Sequence, residues 1–181
     1  MIHKLSITAL ILTIGAALAG DERVLFDFAA KSSDWFVVND GVMGGVSSST
    51  VKLENGVLVF EGQVRLENNG GFASVRSNAS VQNLSEFVGV SLRVRGDGKM
   101  YALNLRTSSA RDVLYQSEFQ TKAGAWLELR IPFSQLRPTR FGNTLKGFAL
   151  EPNRIESFGF IIANKRNESF ELVVDWIKAY R

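Results

Sequence analysis

The stretch from Asp34 to Thr50, DWFVVNDGVMGGVSSST, concentrates the residue types that could bind a ligand or react. Asn39 and Asp40 place an amide beside a carboxylate, and three glycines follow within five residues: Gly41, Gly44 and Gly45. Glycine permits backbone angles and close approaches that other residues avoid, and an Asp carboxylate accepts backbone N–H bonds within such a bend. In one interpretation the loop locks an end of the fold, with Asp40 capping the turn and Met43 filling the core. In the other it forms a ligand or partner site.

A second set of polar side chains depends on the alternation of strands. Ala73 and Val75 are small apolar residues that would face the core, so the residues between and beside them line the opposite face: Phe72, Ser74 and Arg76. Polar residues of two later strands are expected on the same face: Asn104, Arg106 and Gln116. Such side chains suit hydroxyl-rich or anionic ligands. Alternatively, the two arginines are ordinary surface residues or pair with one of three carboxylates: Asp40, Glu67 or Glu118.

These two groups together form the predicted site. The candidate residues for binding a ligand or partner are Asn39, Asp40, Met43, Phe72, Ser74, Arg76, Asn104, Arg106 and Gln116. The glycines expected to shape the loops are Gly41, Gly44, Gly45, Gly70 and Gly71.

Residue types that are missing from the chain exclude several kinds of catalysis. The chain has no Cys, and its single His is His3, inside a predicted signal peptide. The remaining chain therefore has neither imidazole nor thiol, which excludes Ser-His-Asp and Cys-His catalysis and zinc sites built from His or Cys. Asp40 and Glu118 could act as a glycosidase pair, but nothing in their spacing supports it. No loop carries the alternating carboxylates of a calcium site. We predict a non-enzymatic protein without catalytic residues, cofactor or metal.

The N-terminal residues have the pattern of a secretory signal. Lys4 supplies a positive charge, Leu5–Ala16 is apolar, and Ala17–Ala19 places small residues at the cleavage positions. We predict a signal peptide over residues 1–19, a single domain over residues 20–181, and export to the periplasm or the extracellular space. The alternative is a short membrane anchor, but the apolar run is short for a span of about 20 residues. After cleavage no transmembrane span is expected.

The charge of the chain argues against nucleic-acid binding. The 21 Lys and Arg exceed the 18 Asp and Glu by three, and the basic residues are scattered, with no run of five like charges. Without disulfides, an exported domain must be stabilised by its core alone, and the chain is long enough to bury one.

The sequence pattern predicts that these residues are positioned by β-strands almost throughout. About ten short segments with turn signals between them predict an all-β sandwich or barrel: Val24–Phe28, Val57–Gly62, Val64–Glu67, Phe72–Arg76, Val88–Arg95, Tyr101–Arg106, Val113–Phe119, Trp126–Pro132, Ile155–Ala163 and Phe170–Tyr180. The first strand is expected beside the last. Ser80–Phe87 is predicted to form one short helical turn, and Pro132–Pro152 a long loop packed on the sandwich.

Four blocks along the chain form a recognisable succession. The first and second blocks are Trp35, Asn39–Ser47, Phe60–Gly62 and Glu67–Arg76. The third and fourth are Tyr101, Leu105–Thr107, Tyr115–Gln116, Trp126, Ile131–Phe133, Ile155–Phe160, Phe170–Leu172 and Trp176–Ile177. In this order they resemble the complex I intermediate-associated protein 30 family, over essentially all of residues 20–181.

The resemblance implies both a fold and a function. It implies a jelly-roll β-sandwich of the galactose-binding-domain-like type, in agreement with the strand pattern. In mitochondria the family is known for assembling respiratory complex I, as a non-enzymatic, chaperone-like factor, so the expected partner is another protein or a membrane complex. The fold alone implies an alternative, a carbohydrate-binding module of the cell envelope. Trp35, Trp126 and Trp176 lie in apolar strand patterns and are expected in the core, which favours a protein partner over a sugar.

Overall fold

The structure, a computed structural model, describes residues 22–29 and 34–181. The predicted signal peptide and its cleavage point lie outside the described residues. Strands make up most of the described chain: β1 (Glu22–Phe26), β2 (Trp35–Val37), β3 (Ser48–Glu54), β4 (Val57–Val64), β5 (Ala73–Ser77), β6 (Gly89–Gly96), β7 (Met100–Thr107), β8 (Leu114–Gln120), β9 (Trp126–Pro132), β10 (Arg137–Arg140), β11 (Asn143–Thr144), β12 (Ile155–Ile162) and β13 (Glu168–Tyr180).

The strands form two antiparallel sheets. The first has the order β3-β4-β13-β6-β9, and β1 also pairs with β13. The second sheet has the order β11-β10-β8-β7-β12-β5-β2. Four short 3₁₀ helices in the described chain connect strands: Asp40–Met43, Glu67–Asn69, Phe133–Gln135 and Pro152–Arg154.

The core lies between the sheets and follows from the alternation of each strand. Inward side chains of the first sheet include Phe60, Leu92 and Ile177, and those of the second include Leu103 and Phe158, all at most 1 % exposed. The outward residues of the second sheet are mostly polar. Burying one face of each sheet is the stable arrangement for such alternating sequences, so the polar residues of the second sheet are left on its outer face.

The predicted all-β jelly-roll sandwich is confirmed. The expected pairing of the first and last strands is also present, since Glu22 lies opposite Tyr180. Of the three tryptophans expected in the core, Trp35 is buried at 6 % exposure and packs edge-on against Phe26 with ring centroids 5.2 Å apart. Trp126 and Trp176 are half-buried on the outer face of the first sheet, where Arg93 and Lys178 respectively stack on their rings.

Several segments differ from the sequence prediction. β2 was not predicted, and the predicted strand Val64–Glu67 is not a separate strand, because Val64 ends β4 and Glu67 begins a 3₁₀ helix. The Ser-Thr run was expected in a loop but forms β3, an edge strand that exposes Ser48 and Thr50 and pairs with β4. Pro132–Pro152 contains β10 and β11 as well as loop, because β10 extends the second sheet beside β8. Ser80–Phe87 forms no helix; Gln82 instead bridges to Ile155 of β12, so tertiary pairing overrides the local preference.

Candidate functional site

A buried carboxylate organises the opening loop. Asp40 begins the 3₁₀ helix that ends at Met43 and is completely buried. Its Oδ1 accepts a hydrogen bond from the Ser47 amide at 2.9 Å. Its Oδ2 accepts from the Gly71 amide at 2.7 Å and the Phe72 amide at 3.2 Å, and the Ser47 hydroxyl also donates to it. Four donors therefore converge on one acceptor group, which is the pairing that a buried carboxylate requires.

Ser47 extends this network to a third segment of the chain. The Ser47 Oγ accepts a hydrogen bond from the Arg65 amide at 2.9 Å. A backbone hydrogen bond closes the loop as well: the Gly45 amide donates to the Asp40 carbonyl at 3.1 Å. We call Asn39–Ser47 the signature loop. It is tied to the end of β4 and to the start of β5, so the first two blocks of the sequence resemblance meet at Asp40.

Two glycines are required by the close approach of Asp40. A Cβ atom on Gly45 would lie 2.5 Å from Asp40 Cγ, and one on Gly70 would lie 2.7 Å from Asp40 Oδ2. Real Cβ atoms do not approach other heavy atoms so closely. These two glycines therefore leave the space in which the carboxylate is bound.

The electrostatics of Asp40 agree with its hydrogen bonds. Burial alone would raise the pKa of this carboxyl. The hydrogen bonds from the Ser47 side chain and from the Gly71, Phe72 and Ser47 amides outweigh burial and hold the pKa below its ordinary value. Asp40 is therefore charged at neutral pH, and every bond to it comes from within the chain. It is not accessible as half of a glycosidase pair with the exposed Glu118.

The rest of the signature loop faces solvent. Val42, Met43 and Val46 are 73 %, 56 % and 50 % exposed. The interpretation in which Met43 fills the core is wrong, because the 3₁₀ helix turns this side chain outward while it turns Asp40 inward. Asn39 is partly buried, and its Oδ1 accepts a hydrogen bond from the Ser49 hydroxyl at 2.7 Å. Val42 and Val46 were not singled out by the sequence, because their apolar type alone predicts burial.

The polar residues predicted to share a sheet face do so. Gly159 of β12 lies opposite Arg76 on one side and Asn104 on the other, and Asn104 lies opposite Gln116. Arg106 follows two residues after Asn104 and therefore has the same orientation. We call the outward side chains of Arg76, Asn104, Arg106 and Gln116 the arginine face.

The remaining predicted members lie at the border of this face. Ser74 points outward on β5, and its hydroxyl donates to the Val38 carbonyl. Phe72 is half-buried just before β5 and belongs to the Asp40 network through its amide. Two residues that the sequence analysis missed extend the same row, Phe36 opposite Arg76 and Arg137 opposite Gln116. Only the strand order reveals them, since β2 and β10 were not predicted.

The two arginines do not have the carboxylate partners that were considered. Within the described residues, neither forms a salt bridge with Asp40, Glu67 or Glu118. Arg76 lies over the Phe36 ring, 4.8 Å from its centroid. Arg106 donates to the Arg111 carbonyl at 2.5 Å.

The surroundings of Arg106 are unfavourable for its charge. Burial lowers its pKa most, and the positive charge of Arg76 lowers it further. Glu156 and Asp112 act in the opposite direction, but each of them already forms a salt bridge with another arginine. Glu156 pairs with Arg111 at 3.3 Å, and Asp112 pairs with Arg140 at 2.6 Å.

Neither a metal site nor a membrane span is found in residues 22–29 and 34–181. No group of three or more His, Cys, Asp or Glu side chains there could hold a metal ion. In the same part of the chain, no helix is long and apolar enough to cross a membrane.

Solved structures resemble the fold of this chain. A family 11 carbohydrate-binding module from Clostridium thermocellum, in complex with a β-1,3-1,4-mixed-linked tetrasaccharide, superposes with a TM-score of 0.67 at 19 % identity, over 88 % of this chain and 95 % of that one. A family 29 carbohydrate-binding module superposes with a TM-score of 0.52 at 12 % identity, over 88 % of both chains. At these identities the likeness shows the jelly-roll fold alone.

Curated relatives resemble the sequence. The mitochondrial complex I intermediate-associated protein 30 of Drosophila melanogaster is 28 % identical over 87 % of this chain and 62 % of its own length. The Mus musculus protein of the same name is 27 % identical over 87 % of this chain and 56 % of its own length. The chain thus spans little more than half the length of these relatives. The family model described as complex I intermediate-associated protein 30 matches residues 24–174. The chain belongs to the complex I intermediate-associated protein 30 family.

Proposed function

We propose that this protein is a non-enzymatic, chaperone-like assembly factor that binds a subunit of a membrane or respiratory complex of the complex I type. The observation that carries the proposal is the family match over residues 24–174. This match includes the signature loop and both segments to which Asp40 ties it. The mitochondrial relatives are named for their association with a complex I intermediate.

The signature loop is suited to contact such a partner. It exposes three apolar side chains, those of Val42, Met43 and Val46, on a backbone that Asp40 fixes through four hydrogen bonds. A rigid loop loses less conformational entropy on binding than a flexible one, so its apolar contacts contribute more fully to affinity. Exposed apolar side chains grouped on one surface are a feature of protein interaction sites.

Site-specific crosslinking tests this proposal. A photo-crosslinking amino acid replaces Met43, and the protein is irradiated with membranes of its native host. We expect a covalent product with a subunit of a membrane complex. The matched control carries the same group at Val81, which is also exposed, at 59 %, but lies outside the loop. Equal crosslinking of the same proteins from both positions, or none from Met43, would contradict the proposal.

Carbohydrate binding is the second candidate, and the fold is the observation that favours it. The family 11 module of the same fold was solved with a tetrasaccharide. On the outer face of the second sheet, however, Arg76 stacks on the Phe36 ring, and Trp35 is buried. Titration calorimetry with the mixed-linked tetrasaccharide separates the candidates. We expect no binding; binding that is lost in Arg76→Ala and Arg106→Ala would favour the carbohydrate function.

A further inference from the structure

We propose that the arginine face is a carboxylate-binding site that receives an acidic, extended peptide segment of the partner. The inference rests on the proposed function, because it takes the partner to be a protein. It adds a second contact surface, separate from the signature loop, and specifies its chemistry.

The first argument is unneutralised positive charge. Arg76 and Arg106 are half-buried neighbours on one face, and neither has a salt bridge among the described residues. The carboxylates whose charge acts on Arg106 are engaged elsewhere, Glu156 by Arg111 and Asp112 by Arg140. Two like charges held together in partial burial repel each other, and a carboxylate between them relieves this repulsion through charge-assisted hydrogen bonds.

The second argument is an unpaired acceptor in the same place. Asn104 is 8 % exposed, and its Oδ1 is buried without a hydrogen-bond partner in the described residues. A buried polar atom without a partner is uncommon in folded proteins and indicates a missing donor. A peptide N–H supplies such a donor, whereas an inorganic anion such as sulfate does not. The site is therefore complementary to a ligand that has both a carboxylate and an N–H group.

The third argument is the shape of the row. Gly159 separates Arg76 from Asn104 and contributes no side chain to the face. A Cβ at this position would lie 2.5 Å from the Val75 carbonyl oxygen, so the strand cannot fill the space itself. Two strand spacings amount to about 10 Å, the length of about three extended residues. An extended peptide crossing β12 can therefore place a carboxylate at Arg76 and a backbone N–H at Asn104.

The arrangement of aromatic groups favours a peptide over an acidic sugar. A sugar ring stacks on a free aromatic face; Phe36 is 37 % exposed, but Arg76 already stacks on its ring, 4.8 Å from the centroid. Arg137 and Gln116 continue the row with polar side chains only. Hydrogen bonds and charge, rather than stacking, are what this face offers a ligand.

Binding of short labelled peptides, measured by fluorescence anisotropy on the full chain, tests the inference. The probe is an extended Asp-Glu peptide, and the matched probe has Asn and Gln in place of every Asp and Glu. We expect the acidic probe to bind and the matched probe not to bind. Arg76→Gln and Arg106→Gln should each weaken binding about tenfold. Arg166→Gln removes the same charge from the exposed turn between β12 and β13 and should leave binding unchanged. Added salt should weaken binding of the acidic probe.

A variant that keeps the net charge addresses the Asn104 contribution. Asn104→Ala removes the unpaired acceptor and should lower the affinity for the acidic probe severalfold. Circular dichroism verifies that the variant keeps its fold. Equal binding of both probes, unchanged affinity in both arginine variants, or preferential binding of an oligogalacturonate would overturn the inference. The variant Val42→Ser/Met43→Ser separates the two proposals. This variant should still bind the acidic peptide but should no longer bind the membrane partner. Loss of peptide binding by this variant would overturn the claim that the two surfaces are separate.

Discussion

The amide of Gly71 donates a 2.7 Å hydrogen bond to Oδ2 of Asp40, although 31 residues separate them in the chain. This contact joins the signature loop to the loop that leads into β5. The same carboxylate accepts from Ser47, whose hydroxyl accepts in turn from the Arg65 amide. The motif that first suggests a reactive site is therefore a structural junction, and its outward side chains face solvent.

Replacing Asp40 should destabilise the protein strongly. In Asp40→Asn the side-chain NH₂ group would face donors that now point at a carboxylate oxygen, leaving buried N–H groups unpaired. We expect a loss of about 2–4 kcal/mol in the free energy of unfolding, measured by urea denaturation at neutral pH. The exposed Asp34 provides the control, because Asp34→Asn should change stability little. A melting curve of Asp40→Asn that matches the wild type would contradict the structural role of this residue.

The contribution of Asp40 to the free energy of unfolding should decrease at acidic pH. Its pKa is lowered in the folded state, so its stabilising effect is fully present above the unfolded pKa of about 3.9. That effect is lost as the pH falls through the lower folded pKa. The stability difference between the wild type and Asp40→Asn should therefore shrink on acidification from about pH 7 to pH 3. A difference that stayed constant or grew over this range would show that the charge of Asp40 is not what stabilises the junction.

Replacing the glycines that contact Asp40 should destabilise the protein, whereas replacing a neighbouring glycine should not. Gly45→Ala and Gly70→Ala place a Cβ against Asp40, and each should cost about 1–3 kcal/mol in the free energy of unfolding. Gly41 lies in the same loop without positive φ, and no atom lies within 4 Å of an added Cβ. Thermal unfolding of Gly41→Ala should match the wild type. Equal loss in all three variants would mean that flexibility, not close packing, is required here.

Most of the fold follows from local patterns in the sequence. The period-two alternation of β6, β7 and β13 identifies them as half-buried strands, and it also places Asn104 and Arg106 on one face. β3 was missed because its outward residues are all polar or charged and it begins with a Ser-Ser-Thr run, while its inward Val51 and Leu53 are only two apolar positions. Alternation predicts which side chains of a strand face the core, but it does not predict which strands lie beside it.

The site is less predictable because it depends on strand order and on distant contacts. Arg76 and Asn104 become neighbours of Gly159 only because β12 lies between β5 and β7. The local sequence contains no sign of this order. The same holds for Asp40, whose four donors come partly from a loop about thirty residues away. Sequence alone could show that Asp40 needs donors, but not where they are.

The predicted export of the protein remains a proposal that one experiment can test. If residues 1–19 form a signal peptide, the protein isolated from its native host should begin at Gly20. Intact-mass measurement distinguishes this product from the full chain. Fractionation of the same cells provides the control, since the shorter product should be absent from the cytoplasm. A full-length cytoplasmic product would contradict export and would place the assembly function inside the cell.

The exposed residues of the signature loop should matter for binding and not for stability. Val42 and Met43 are 73 % and 56 % exposed, so Val42→Ser/Met43→Ser should change the free energy of unfolding by about 0.5 kcal/mol or less. Calorimetric unfolding measures this effect. A large loss of stability would mean that these side chains pack within the protein and are not available to a partner.

Assembly of the respiratory complex in living cells tests the central claim most directly. The gene is deleted in the native host, and the amount of assembled complex in the membranes is measured by blue-native electrophoresis. The account predicts that assembled complex is lost, that the wild-type gene restores it, and that the stably folded Val42→Ser/Met43→Ser variant does not. A deletion strain with the normal amount of assembled complex would contradict the account.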